Sequence, residues 1–233
     1  MCGRYPELYE KSDKCIIASD LHCKEECNAL CTLINIAIEN KIGVMVIIGD
    51  LFDKMHFPCS CEYVFSKIKD LIRRCHPNSI VRNTLKILYL TSRSSHDPIL
   101  DRDCEIIFSL NSIDFTLTIL THPVYIILNG TRLFLTHGEI FVKNGAAAFI
   151  LNVFAKVLGT DLFLEKTLKR KLKLAENTWL VMGHTHIPGI DYQYRVANTG
   201  GWRRVWKQGI PYWRKAYNTY ILVEKGKLKL KSF

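Results

Sequence analysis

Ile47-Ile48-Gly49-Asp50-Leu51-Phe52-Asp53 closes an apolar run that begins at Val44. Uninterrupted apolar residues rich in Val and Ile read as a strand buried on both faces. The Gly-Asp pair then sets a carboxylate where the strand gives way to a loop, the end at which open α/β sheets carry their chemistry. Four further stretches repeat the design, each leaving Asp or His just past an apolar run. They are Ile16-Ile17-Ala18-Ser19-Asp20-Leu21-His22, Leu88-Tyr89-Leu90 leading to Ser95-His96-Asp97, Leu133-Phe134-Leu135-Thr136-His137-Gly138, and Leu180-Val181-Met182-Gly183-His184-Thr185-His186.

Taken in order, Asp-x-His, Gly-Asp-x-x-Asp, a His-Asp pair, His-Gly and Gly-His-Thr-His resemble the calcineurin-like metallophosphoesterases. The motifs run from Asp20 to His186 and so cover most of the chain. One block departs from the pattern: the family usually reads Gly-Asn-His-Asp where this chain reads Ser94-Ser95-His96-Asp97.

The spacing between the motifs fits an α/β chain. Helical periodicity over 25–41 and 62–74 separates the apolar strands at 15–19, 44–48 and 85–90, and Gly43 is placed to end the first helix. Strand–helix–strand succession implies parallel pairing with right-handed crossovers. Past residue 115 the runs turn short and β-rich, at 115–120, 124–128 and 132–136, with Asn129-Gly130 as a hairpin turn. Further strands are expected at 179–182, 192–197, 218–224 and 227–231, and residues 1–14 read as a frayed end. Helices outside two β-layers match the fold the resemblance implies: a four-layer αββα sandwich of two mixed β-sheets, in one domain over 1–233.

Residues 143–174 stand apart as an inserted helical hairpin. Phe149, Ile150, Val153, Phe154, Val157 and Leu158 form one apolar face, Gly159-Thr160-Asp161 breaks the chain, and Leu164, Leu168 and Leu172 make a second stripe. Family members acting on UDP-2,3-diacylglucosamine carry an insertion in this interval as a lid for acyl chains. A lid and a helix pair packed on the sandwich both fit the pattern. Seven basic residues against two acidic ones in the hairpin suggest peripheral contact with an anionic amphiphile or membrane surface.

The net charge is +10, and the hairpin together with 202–215, which has five basic residues and no acidic one, holds a surplus equal to all of it. The run Trp202-Arg203-Arg204-Val205-Trp206-Lys207 keeps nucleic acid open as a partner, since rings stack on bases while cations meet phosphates. The longest greasy stretch, 146–158, is broken by Asn152 and Lys156, so no span is expected. The polar residues 1–14 read against a secretory leader, which makes a cytoplasmic protein the expectation. The nine cysteines are then expected as reduced thiols, with Cys23, Cys27 and Cys31 packing on one helix face.

The resemblance implies a site with two divalent ions, and the Asp and His donors suit Mn²⁺ first, with Fe or Zn²⁺ as alternatives. It places Asp20, His22 and His186 on one metal, Asp50 between the two, and His137 and His184 on the second, with Ser95 where the family has Asn. The implied reaction is phosphoester hydrolysis, of phosphodiesterase or diphosphatase type, by a metal-activated bridging hydroxide. His96 is placed to protonate the leaving oxygen, with Asp97 orienting its imidazole, and Asp53 to support His22. The phosphoester substrate is left open between a nucleotide and a lipid-linked diphosphate. A nuclease and a non-catalytic binding scaffold remain as alternatives.

Overall fold

The computed structural model describes residues 5–75, 85–94, 96–100, 115–203 and 218–233, with the backbone alone at 107–111. The chain opens with strands β1 (Glu7–Glu10) and β2 (Lys14–Ala18), helix α1 (Asn28–Glu39) and strand β3 (Val44–Ile48). It continues through β4 (Pro58–Cys59), α2 (Cys61–Cys75), β5 (Leu85–Leu90), β6 (Ile99–Leu100), β7 (Ile107–Asn111) and β8 (Phe115–Leu120). Then come β9 (Val124–Leu128), β10 (Thr131–Leu135), α3 (Gly145–Val157), α4 (Phe163–Lys171) and β11 (Trp179–Met182). The last elements are β12 (Gly189–Asp191), β13 (Val196–Asn198), β14 (Thr219–Glu224) and β15 (Lys227–Ser232).

All the described strands but β4 and β6, which pair with each other, form two large mixed sheets, ordered β15-β14-β2-β3-β5-β8-β7 and β1-β9-β10-β11-β13-β12. Their inner faces meet in a core that includes Ile17, Val46, Ile48, Leu90, Ile126, Leu135 and Val181. The outer face of the first sheet carries Ile16, Met45, Ile47 and Ile87 against Leu30, Leu33, Val64 and Ile68 of α1 and α2. On the other side Phe134, Leu180 and Val196 pack against Leu162 and Leu168 around α4. The alternation of side chains along each strand thus serves two cores at once, and the result is the expected αββα layering.

Register gathers the motif loops at one edge. Parallel pairs Ala18–Ile47 and Ile48–Leu90 bring the ends of β2, β3 and β5 level. Leu135–Val181 and Met182–Asn198 do the same for β10, β11 and β13.

Several expectations change. Residues 7–10 are not a frayed end: β1 pairs in parallel with β9 at the sheet margin, with Leu8 against the inner core. The strand expected over 192–197 is interrupted because Asp191 Oδ1 accepts the Tyr194 amide at 3.0 Å, closing a turn between β12 and β13. Reduced thiols are corrected for four cysteines, which form the disulfides Cys23–Cys27 and Cys31–Cys75. The helix face that suggested thiol packing instead turns Cys31 toward the end of α2. Disulfides persist in oxidising compartments, so the reduced state that a cytoplasmic setting implied is not found at these four positions. No described helix is long and apolar enough to cross a membrane.

The hairpin divides. In α4, Leu164 and Leu168 are buried and supply an outer layer of the sandwich, so this half is packed structure. In α3 only part of the expected face is covered: Phe149 is buried, while Phe154 is 62% and Val157 79% exposed. The cations are largely engaged within the molecule. Lys166 pairs with Asp191 at 2.8 Å, Lys169 donates to the carbonyls of Thr178 and Tyr194, and Lys171 lies over the Phe141 ring.

Candidate metal centre

The strand-end loops bring Asp20, His22, Asp50, His96, His137, His184 and His186 together. Ligand atoms of three trios lie within 4.8 Å of one another: Asp20, His22 and His186; His22, Asp50 and His96; and Asp20, Asp50 and His137. His186 Nε2 is 3.2 Å from Asp20 Oδ1, and His137 Nε2 is 3.5 Å from Asp50 Oδ1. His184 belongs to none of these trios but reaches His137, with Nδ1 to Nε2 at 3.2 Å. His96, expected as a proton donor, also falls within ligand distance. Ser95 lies outside the described residues; beside it Ser94 Oγ and Ser92 Oγ both donate to Asp50 Oδ1, the latter at 2.9 Å.

The backbone is bent to achieve this. Asp20, His22, Asp50, His184 and His186 all have φ between 49° and 65°. A non-glycine residue in the left-handed region is uncommon and costs about 1–3 kcal/mol in strain. Such residues persist where the surroundings hold them, and here the loops hold one another. His22 N donates to Asp50 O at 3.0 Å, Cys23 N to Leu51 O at 2.7 Å and Asp53 N to Cys23 O at 2.8 Å. Glycine is required at two contacts. A Cβ on Gly49, itself at φ 67°, would sit 2.5 Å from the His137 ring, and one on Gly183 would sit 2.6 Å from Asp20 Oδ2.

Asp97 does something other than expected. Its carboxylate does not meet His96; it accepts the amides of Asp50 at 2.8 Å, Leu51 at 3.1 Å and Ser92 at 2.8 Å. His96 is oriented by a different group, donating from Nδ1 to the Asp53 carbonyl at 2.8 Å. Asp53 faces His22 at 3.9 Å and is paired with Arg203 at 3.2 Å. A cleft of about 710 Å³ opens beside Asp53, lined among others by Phe52, Met55, Phe57, Lys24 and Lys67.

The donor set fits cations. His137 Nδ1 faces the Ile48 carbonyl at 3.0 Å and His184 Nε2 the Val142 carbonyl at 2.6 Å. A carbonyl only accepts, so each of these nitrogens carries the proton. When His137 is charged its Nε2 donates to the His184 Nδ1 lone pair, and a metal ion that displaced this proton would meet a lone pair on each ring. Both ring nitrogens of His22 are buried without a hydrogen-bond partner among the described residues. Burial pushes the His22 imidazole down to about 4, and burial together with the neighbouring His137 charge does the same to His184. Both rings are therefore neutral and able to ligate at pH 7. Burial pushes the Asp20 and Asp97 carboxyls up to about 6. Burial acts to lower His137, but the Asp50 and Asp20 carboxylates outweigh it and raise its pKa well above the usual range.

Once this geometry is in view, comparison with known proteins supplies the family. A family model for calcineurin-like phosphoesterases matches residues 14–222. The chain belongs to that family. It is accordingly a hydrolase of phosphoester bonds, and the family's dependence on metal agrees with the donor set. No curated protein matches the chain in sequence. Among solved structures it is similar to vacuolar protein sorting 29 from Cryptosporidium parvum (TM-score 0.46, 16% identity, 96% of this chain and 98% of that one). It is also similar to the phosphoesterase YfcE from E. coli (TM-score 0.46, 16% identity, 94% and 98%) and to an archaeal phosphodiesterase (0.41, 14%, 94% and 99%).

Among residues that sequence reasoning missed, Ser92 and Ser94 carried a weak signal, lying just before the His-Asp block. Asp97→Ala is predicted to leave three buried amides without an acceptor, each worth about 1–3 kcal/mol, and to lower stability by about 3 kcal/mol or more. Urea denaturation measures this; a loss below about 1 kcal/mol would show that these amides find other partners.

Proposed function

We propose that the protein is a phosphodiesterase or diphosphatase that works with two divalent ions, Mn²⁺ being the first choice, in a single domain over 1–233. The observation that carries the reading is the inward-facing pair His137 Nε2 and His184 Nδ1 beside the buried Asp20 and Asp50. Asp20, His22 and His186 would hold one ion and His137 and His184 the other, with Asp50 shared and Ser95 standing in the sequence where the family has Asn. When bound, such ions screen the phosphoryl charge and supply a nucleophile at neutral pH by lowering the pKa of water. His96, fixed through Nδ1, keeps Nε2 for a proton to the leaving oxygen or for a metal. Asp97 acts by holding the loop that carries Asp50.

Asp50→Asn is predicted to lower Mn²⁺-dependent hydrolysis of bis-p-nitrophenyl phosphate at least about 100-fold. In the same assay His96→Ala should cost about 10²–10⁴-fold on an alkyl ester and much less on the activated nitrophenyl ester. Full activity in Asp50→Asn would contradict the shared carboxylate, and equal loss on both esters would give His96 a binding role.

A substrate with an apolar chain, such as a lipid-linked diphosphate, is favoured over nucleic acid by two observations. The exposed Ile150, Phe154, Val157 and Leu158 extend from the segment joining His137 to His184. Trp202 is 9% exposed and packs in the core, and Arg203 is committed to Asp53, so the described part of the basic, aromatic run offers no stacking platform. The rest of that run, 204–215, lies outside the described residues. Peripheral contact with a membrane would use the same α3 face more than the tied cations. Phe154→Ser with Val157→Ser is predicted to reduce sedimentation with anionic phospholipid vesicles at least about fivefold while leaving bis-p-nitrophenyl phosphate turnover unchanged. Equal vesicle binding by both proteins would remove the apolar-chain reading and leave a phosphodiesterase of polar substrates.

A further inference from the structure

Glu165 lies in α4, in the hairpin and outside the metal cluster, yet its side chain is completely buried at 0% exposure. Among the described residues no cation pairs with it. Its two oxygens are instead filled by neutral donors from three parts of the chain. Asn152 Nδ2 of α3 reaches Oε2 at 2.9 Å and Oε1 at 3.2 Å. Asn198 Nδ2, at the end of β13, reaches Oε1 at 2.7 Å, and Thr185 Oγ1 donates to the same atom at 3.2 Å. Thr185 stands between the two metal-site residues His184 and His186.

The connections continue toward the opposite sheet. Asn198 Nδ2 also donates to the Gly183 carbonyl at 2.8 Å, and its Oδ1 accepts the Gly200 amide at 2.9 Å. Beside Asn198, Thr199 Oγ1 lies 2.6 Å from Ser19 Oγ, which donates its one proton to Asp20 Oδ2. Asp20 Oδ2 in turn accepts the His184 amide at 3.0 Å. The network thus joins the hairpin to the turn 183–186 and, through Asn198 and Ser19, to Asp20. A helix pair needing only to cover a sheet would bury apolar residues here, as Leu164 and Leu168 do on either side. An unpaired carboxylate is a costly way to fill the same space.

Resting on the metal-centred reading above, we propose that Glu165 is a positioning residue for the metal centre. Through Thr185 and Asn198 it holds the left-handed turn that aims His184 and His186. The inserted hairpin is thereby a part of the site's scaffold and not a separable cover. Glu165 is not itself a ligand, because both of its oxygens are already occupied by amide and hydroxyl donors. Loss of such outer partners typically weakens metal binding 10–100-fold.

The test is calorimetric titration of Mn²⁺ into wild type, Glu165→Ala, Leu168→Ala and the exchange pair Glu165→Gln with Asn152→Asp, at a temperature where circular dichroism shows all of them folded. Glu165→Ala should bind Mn²⁺ about 10–100-fold more weakly. The exchange pair moves the charge across one hydrogen bond and keeps an acceptor for Asn198 and Thr185, so it should return to within about threefold of wild type. Leu168→Ala loosens the packing of α4 without touching the network and should bind like wild type. Should Glu165→Ala fail to fold, Thr185→Val keeps the shape, removes only the hydroxyl, and should lose affinity in the same direction. Wild-type affinity in Glu165→Ala (or in Thr185→Val in its place), or an equal loss in Leu168→Ala, would overturn the proposal. A wild type that binds no Mn²⁺ would overturn the metal-centred reading itself, and is recognised before any substitution is made.

Discussion

Two carboxylates, Asp20 and Asp50, are buried at adjacent strand ends within a few ångströms of each other, and the rest of the site follows from that. Removing charge from water is costly unless it is compensated, and the ion pairs described for both residues are with histidine. His137 answers the negative charge, and burial leaves Asp20 with a raised pKa. His22 and His184 are kept neutral by the same burial and turn lone pairs inward. An array of acceptors with so few donors is complementary to cations. The chemistry of the family therefore follows from the electrostatics of the cluster as well as from its sequence motifs.

Holding such a cluster takes unusual backbone. Five of its residues adopt left-handed conformations that alone would relax. They are kept in place by three devices: the level ends of two sets of parallel strands, the Asp97 carboxylate under the Asp50 loop, and the Glu165–Asn198 network under the turn 183–186. The first is a matter of register and is common to any open sheet of this kind. The other two depend on single buried side chains. This explains how a site made almost wholly of loop residues keeps its left-handed turns.

The central strands and the motif order were legible because each is local. An apolar run followed by Gly-Asp or Gly-His is read within a few residues, and β3, β5, β8, β9 and β11 coincide with the runs that announced them. What escaped is set by partners distant in sequence. β1 is a strand only because β9 lies beside it, and the Cys31–Cys75 bridge exists only because α1 and α2 pack together. Asp97 seemed paired with His96 because they are neighbours in the chain. In the fold its carboxylate turns instead to the amides of Asp50 and Leu51. Glu165 gave no signal at all: one acidic residue among lysines on a helix reads as surface until Asn198 and Thr185 arrive from elsewhere.

The central claim is that the buried cluster is built for two divalent ions. The most direct measurement is metal stoichiometry by elemental analysis, after dialysis of the full chain against Mn²⁺ and removal of free metal. The account predicts two ions per chain in the wild type, and fewer when His137 and His184 are replaced together by Ala. A wild type that retains no metal, or a double variant that retains as much as the wild type, would contradict it.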